Sequence, residues 1–431
     1  MHFIKIIIYF LYKFFFFKLI LSRLLFLIIL FFNYSKIKKK NFKILVLSSY
    51  RFRDIKDFKL LNNFSFIFIP IKIQYFLFSQ FGPYLSKNKE FFFKNNNKIK
   101  QELEEINIFF QEIMSFFLKK LEIKAVISAG AYYIQDAIFF PLFKKKNIKI
   151  IIIQRENYGP QKYQGKKIKE FFSDYEPSLA DVIITQNSYT SKMMGSLNFY
   201  KNTEFSVCGT LRMDSFINKL KIKKYYNQKK YITFFSFLKN AVIGIQGNNK
   251  ILSANTNKGL SNLFKNSHNL IIKYAKNNPN INLIIKHKFG GIFLKEIENN
   301  WKKYSGENLP ANCKLTSTDD PHDLIIKSDL VITFNSTVVF EAGLKKIPII
   351  IPAFDEAINE YKNYFNFNEL KNSFLVVNKS EYIQTIDQTL KNFKLNNKSM
   401  QKRLYLFSKY VSSIEANAAQ KYTNTIKKIL K

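Results

Sequence analysis

The feature that most constrains the fold is a series of short, almost wholly apolar segments, each closing on small or polar residues and separated by stretches of helical spacing. Phe42-Lys43-Ile44-Leu45-Val46-Leu47-Ser48-Ser49 is the first and Phe64 to Ile71 the second. Residues 97 to 120 carry charges at helical spacing, and they lead into Ala125-Val126-Ile127-Ser128-Ala129-Gly130. Ile148 to Ile153, Asp181 to Thr185 and Phe205 to Gly209 continue the pattern. After a connection rich in Lys, Asn and Tyr at Ile217 to Lys230, the series begins again with Tyr231 to Ser236, Ile281 to Lys286, Asp329 to Thr333 and Pro348 to Pro352. Strands that are apolar on both faces must be covered on both faces, so their alternation with helices predicts parallel sheets between helical layers. A chain of 431 residues exceeds one ordinary core and suits two. The expected class is α/β, with two parallel-sheet domains facing across a cleft. The boundaries are read as a segment over 1–40, a first domain over 41–228, a second over 229–395, and helices over 396–431 that return to the first.

Residues 3 to 32 are apolar and aromatic, but Lys5, Lys13, Lys18 and Arg23 interrupt them. A spanning helix needs roughly 18 to 20 nearly uncharged residues, and the longest uncharged stretch, Leu24 to Ser35, is shorter. Asn33-Tyr34-Ser35-Lys36 offers no small-residue cleavage site. An interfacial helical anchor fits best: the basic side chains snorkel while Phe, Leu and Ile enter the acyl boundary. Ile37-Lys38-Lys39-Lys40 would then meet anionic lipid on the cytoplasmic side. The expected location is the cytoplasmic face of a bacterial inner membrane, peripheral or monotopic. A helix packed on the protein's own core and a single span are the alternatives.

The 68 Lys+Arg against 31 Asp+Glu give a formal charge of +37, which admits nucleic acid, anionic lipid and phosphate-bearing ligands alike. The lysines are dispersed and no aromatic RNA motif accompanies them, so a basic nucleic-acid-binding protein is the weaker alternative and no nucleic-acid partner is expected. Cys208 and Cys313 match no metal or disulfide spacing, and His2, His268, His287 and His322 form no HExxH pattern. No metal site and no resident cofactor are expected.

Two strand ends carry the candidate chemistry of the second half. Leu330-Val331-Ile332-Thr333 runs through Phe334 into Asn335-Ser336-Thr337, with Glu341 one turn into the following helix. Hydroxyls and unpaired amides there suit a diphosphate, and Glu341 suits a ribose diol; ordinary N-capping is the competing explanation. Ile285 leads into Lys286-His287-Lys288 and Gly290-Gly291, a basic loop expected on the same sheet edge. In the first half, Arg155 and Glu156 follow the Ile148 to Ile153 strand. Glu156 is the candidate base for an acceptor hydroxyl and Arg155 the candidate for steadying charge, with Asp136 as reserve base. A surface ion pair explains Arg155 and Glu156 equally well.

Three stretches resemble the GT-B-fold transferases of bacterial surface and capsule polysaccharides, near the CDP-glycerol glycerophosphotransferases. Val207-Cys208-Gly209-Thr210-Leu211-Arg212-Met213-Asp214 is similar to the element closing their first domain. Ile285-Lys286-His287-Lys288 stands where they carry a strand-end His motif, although many have His-Pro there. Asn335-Ser336-Thr337, Glu341-Ala342 and Lys346-Ile347-Pro348 resemble their nucleotide-binding series, which sugar-nucleotide 2-epimerases share. The resemblance implies two Rossmann-like domains in a GT-B arrangement. It also implies a CDP-, CMP- or UDP-linked donor and a lipid-linked or polysaccharide acceptor at a membrane surface. Lys286, His287, Lys288, Asn335, Ser336, Thr337 and Glu341 would hold the donor. Gly209, Arg212 and Asp214 would shape the interdomain joint, with Arg212 and Asp214 as a structural pair. A sugar-nucleotide 2-epimerase is the alternative enzyme.

Overall fold

The computed structural model describes residues 15–33, 42–52, 54–74, 97–156, 158, 164–173, 175–222, 229–239, 259–288, 290–361 and 365–431. The chain divides into two compact units. Unit 1 comprises Met1–Asn157, Lys169–Asp214 and Asn417–Lys431, and unit 2 comprises Tyr158–Ile168 and Ser215–Ala416.

Unit 1 is built on a parallel sheet of β1 (Phe42–Val46), β2 (Phe64–Phe68), β3 (Ile123–Ser128), β4 (Lys149–Ile153), β5 (Val182–Thr185) and β6 (Glu204–Val207). The order is β2-β1-β3-β4-β5-β6, so successive connections change direction between β1 and β3. Ile150 to Ile152 of β4 and Val182 to Ile184 of β5 are buried, as expected of β-branched residues in central strands. The final helix, Ala418–Leu430, belongs to this core through Ala418, Tyr422 and Ile426.

Unit 2 repeats the plan with β7 (Lys230–Phe235), β8 (Ile281–Lys286), β9 (Cys313–Thr316), β10 (Leu330–Thr333), β11 (Ile349–Pro352) and β12 (Leu375–Val377). All pairings are parallel, in the order β12-β11-β10-β7-β8-β9. The direction changes between β7 and β10, and ligands of open α/β sheets bind outside the carboxyl ends at such a point. The Asn397–Tyr410 helix stays in unit 2, so the return to unit 1 begins at Asn417. The segment expected to be a connection from Ile217 starts as the end of a helix, Leu211–Ile222.

The helix Phe15–Asn33 has two different faces. Ser22, Leu25, Ile29 and Asn33 are buried; Ser22 Oγ donates to Ile113 O at 2.9 Å, and Phe26 meets Phe116 edge-on at 5.6 Å. Asn33 exchanges hydrogen bonds with both backbone groups of Phe68 at the end of β2. The other face exposes Ile20, Leu24, Leu27 and Phe31, the last at 80%. Spacings of four, three and four place these side chains in one stripe. Packing on the protein's own core therefore describes one face, and the anchor expectation is left with the other. Among the described residues no helix is long and apolar enough to cross a membrane. Residues 1–14 and the basic Ile37 to Lys40 lie outside the described ones.

Candidate functional site

At the carboxyl edge of the unit 2 sheet, β10 turns sharply because Asn335 adopts a left-handed conformation, φ 47°, which Asn tolerates better than most residues. The turn leaves Ser336 and Thr337 partly exposed. Ser336 Oγ accepts from the Val338 amide at 3.3 Å, so the expected capping exists in weak form. The Val338–Ala342 helix is a single short turn, so hydroxyls and turn amides, more than a helix dipole, would meet an anion here. Thr337 Oγ1 donates to Glu341 Oε1 at 3.2 Å, and His322 Nε2 lies 3.1 Å from Glu341 Oε2. The His322 ring stacks on Phe216 at 4.2 Å. Glu341 is thus buried and oriented by two neighbours.

A second helix start, that of Ser261–Lys276, is already occupied by an internal anion. The buried Glu356 accepts from the amides of Asn262 and Leu263 at 2.7 and 2.8 Å. This carboxylate takes the place a phosphate would need.

The basic loop after β8 is arranged differently from the expectation. Lys286 Nζ donates to His287 O and Ser317 O at 3.0 and 2.7 Å, stapling β8 to the β9 loop, and burial lowers its pKa. His287 is buried, with its ring stacked 5.1 Å from Phe293. Of the three residues only Lys288 is exposed. Gly290 permits a close approach, since a Cβ there would meet Ser317 Oγ at 2.8 Å. The structure thus brings Thr337 and Glu341 into contact beside Ser336, with the β8 loop separated from them by the width of β7.

In unit 1, Arg155 Nε lies 3.3 Å from Glu156 Oε1, with Glu156 43% exposed. The pair stands at the carboxyl end of β4, where Arg155, with Gln154, Asp54 and Arg212, lines a cavity of about 20 Å³, roughly the space of one water. Gln154 Oε1 is buried there without a hydrogen-bond partner. Beyond Glu156, Asn157 and residues 159–163, with Gly159 and Pro160, lie outside the described residues.

Arg212 and Asp214 do not pair with each other, contrary to expectation. Arg212 reaches Asp54 at 3.2 Å, while Asp214 accepts from the amides of Ala418 and Ala419 at 3.1 and 2.9 Å. Gly209, at φ 90°, makes the turn that separates them from β6. The motif therefore holds the final helix in unit 1.

Asp136 is wholly buried at the β1/β3 switch point, receiving hydrogen bonds from Ser48, Gln74 and Ser128. Such enclosure keeps an acceptor hydroxyl away from it. Burial raises its pKa above the ordinary carboxylate range. A carboxyl whose folded pKa is raised favours the fold below its unfolded pKa, and that contribution is lost as pH rises through the folded value. Asp136→Asn, an uncharged isostere, should therefore gain stability relative to wild type as pH rises from 4 to 8. Urea midpoints across that range check this; a constant difference overturns it. Asp136→Ala, which strands the Ser48 hydroxyl, should cost about 2–4 kcal/mol at pH 4, and less as pH rises.

His322 and Glu356 were not anticipated. Asp320-Pro321 before His322 signals only a helix start, and indeed Asp320 caps it. Among the described residues no group of three metal-ligating side chains occurs.

No family model and no curated protein matches the chain. Solved structures do. A protein from Listeria monocytogenes assigned as a UDP-N-acetylglucosamine 2-epimerase is 12% identical, with 90% of this chain covering 96% of that one at a TM-score of 0.50. A variant of the wall teichoic acid polymerase TagF is 13% identical over 92% of this chain and 90% of that one, TM-score 0.49. MurG of Acinetobacter baumannii is 13% identical over 90% and 99%, TM-score 0.43. The first likeness carries the fold.

Proposed function

We propose that this chain is a GT-B-type transferase moving a glycosyl or glycerophosphoryl group from a nucleotide-activated donor to a lipid-linked or polysaccharide acceptor. The observation that carries the reading is the oriented Glu341 beside the partly exposed Ser336 and Thr337 at the β7/β10 switch point. Unit 2 is assigned the nucleotide of a CDP-, CMP- or UDP-linked donor, with Glu341 accepting from the ribose and the Asn335–Thr337 turn receiving the phosphates. The occupied helix start at Asn262 supports placing the phosphates at that turn instead. Lys288 is the exposed member of its loop. Unit 1 is assigned the acceptor, with Glu156 as base and Arg155 as its electrostatic partner. The exposed stripe of the Phe15–Asn33 helix is assigned to the membrane surface, on the cytoplasmic side.

The test is isothermal titration with UDP, CDP and their 2′-deoxy forms, followed by transfer assays on membrane extracts. Wild type should prefer the ribonucleotide. Glu341→Ala should weaken ribonucleotide binding by roughly 1 to 3 kcal/mol and erase the preference. Equal affinities for variant and wild type overturn the assignment. The Listeria neighbour's assignment favours a second reading, a sugar-nucleotide 2-epimerase. Conversion of UDP-N-acetylglucosamine to its 2-epimer without any acceptor would establish that activity in place of transfer.

A further inference from the structure

Ser236 follows the last residue of β7 and stands at the switch point of the unit 2 sheet, where β7 borders β10. Its amide donates to Lys286 O at 2.9 Å, which ties it to the end of β8. Its hydroxyl oxygen lies 2.9 Å from Nε2 of His268. His268 belongs to the Ser261–Lys276 helix and is completely buried.

Proton bookkeeping around this imidazole has one solution. Nδ1 lies 2.6 Å from the carbonyl oxygen of Phe264. A carbonyl oxygen only accepts, so Nδ1 carries the proton. A second proton on Nε2 would create an imidazolium among aromatic rings: Phe234 at 4.5 Å, Phe264 at 4.2 Å and Phe237 at 6.1 Å. Burial, with nearby His287 adding to it, pushes the pKa down to about 3. Nε2 is therefore a bare acceptor at neutral pH, and the hydrogen of the Ser236 hydroxyl is committed to it.

We infer that Ser236 is a specificity-determining residue that meets the bound substrate only as an acceptor. It takes a hydrogen bond from an O–H or N–H of the nucleotide-activated donor and disfavours a phosphate oxygen at the same place. The inference rests on the reading that unit 2 binds such a donor, and it adds a polarity to that site. A free serine hydroxyl turns to suit either a donor or an acceptor; this one is fixed. Two oxygens without a proton between them repel, so the diphosphate is steered from β7 toward the Asn335–Thr337 turn.

The test uses the full chain with UDP-N-acetylglucosamine, CDP-glycerol and inorganic pyrophosphate as probes, plus ¹⁵N NMR of the histidines. His268 should show the Nδ1–H tautomer from pH 5.5 to 8. Ser236→Ala should weaken binding of whichever nucleotide-linked probe wild type takes by about five- to tenfold, while pyrophosphate binding holds or improves. His268→Phe frees the Ser236 hydrogen, so pyrophosphate should bind about three- to tenfold tighter, and this gain should vanish in the double variant. His268→Gln can accept from Ser236 and donate to Phe264 O, so it should keep the wild-type preference. If His268→Phe does not fold, the tautomer and the Ser236→Ala ratio decide. An Nε2–H tautomer, or equal losses for pyrophosphate and the nucleotide-linked probe in Ser236→Ala, overturns the inference while leaving the donor site standing. Failure of wild type to bind either nucleotide-linked probe overturns both.

Discussion

Glu156→Gln should lower transfer by roughly two to four orders of magnitude while nucleotide affinity stays within about twofold of wild type. Glutamine keeps the size of the side chain and its reach to Arg155 but takes no proton at any working pH. At 43% exposure the carboxylate is open to a substrate hydroxyl, unlike the enclosed Asp136. Asp136→Asn therefore serves as a control expected to retain transfer. Single-turnover assays with donor in excess separate the chemical step from binding. Full activity in Glu156→Gln would return Arg155 and Glu156 to the status of a surface pair.

The second large effect concerns the outer stripe of the Phe15–Asn33 helix. Replacing Ile20, Leu24, Leu27 and Phe31 together by Gln should reduce binding to anionic vesicles on the order of a hundredfold or more, because interfacial affinity scales with buried apolar area. The inner face, with Leu25, Ile29 and the Ser22 and Asn33 hydrogen bonds, remains untouched. The variant should therefore keep its near-ultraviolet circular dichroism. Deleting the helix is the poorer experiment, since it would remove the partners of Ile113 O, the Phe116 ring and the Phe68 backbone. Co-sedimentation unchanged in the folded variant would show that the stripe is not the membrane contact.

Ten of the twelve strands are legible as apolar runs, most of them because they are buried on both faces; β6, an edge strand only partly buried, is read from Phe205, Val207 and the turn at Gly209. The two that are not, β9 and β12, lie at the sheet edges and are short and half-buried, so Cys313-Lys314-Leu315-Thr316 and Leu375-Val376-Val377 lack a continuous signal. The Asn335 to Glu341 turn was readable for a related reason: strand end, hydroxyls and carboxylate follow one another within the nine residues Thr333 to Glu341, and local spacing fixes their geometry. The partners that tune the site come from elsewhere. His322 reaches Glu341 across 19 positions and His268 reaches Ser236 across 32, through helix-on-sheet packing that no motif encodes. The basic Lys286 misleads for the opposite reason, since nothing local reveals that two backbone carbonyls already hold its ammonium.

The hold of Asp214 on the Ala418–Leu430 helix bears on the order in which the chain is completed. Tyr422 and Ile426 fill the core of unit 1, yet they leave the ribosome only after every residue of Ser215–Ala416 has been made. Domains usually close as they emerge, the N-terminal one first. Here unit 2 has all its residues available while unit 1 still lacks the helix that completes its core and meets Ser206 and Cys208 at the end of β6. The unit begun first is the one finished last, and during that interval its incomplete core is the part of the nascent chain in greatest need of a chaperone.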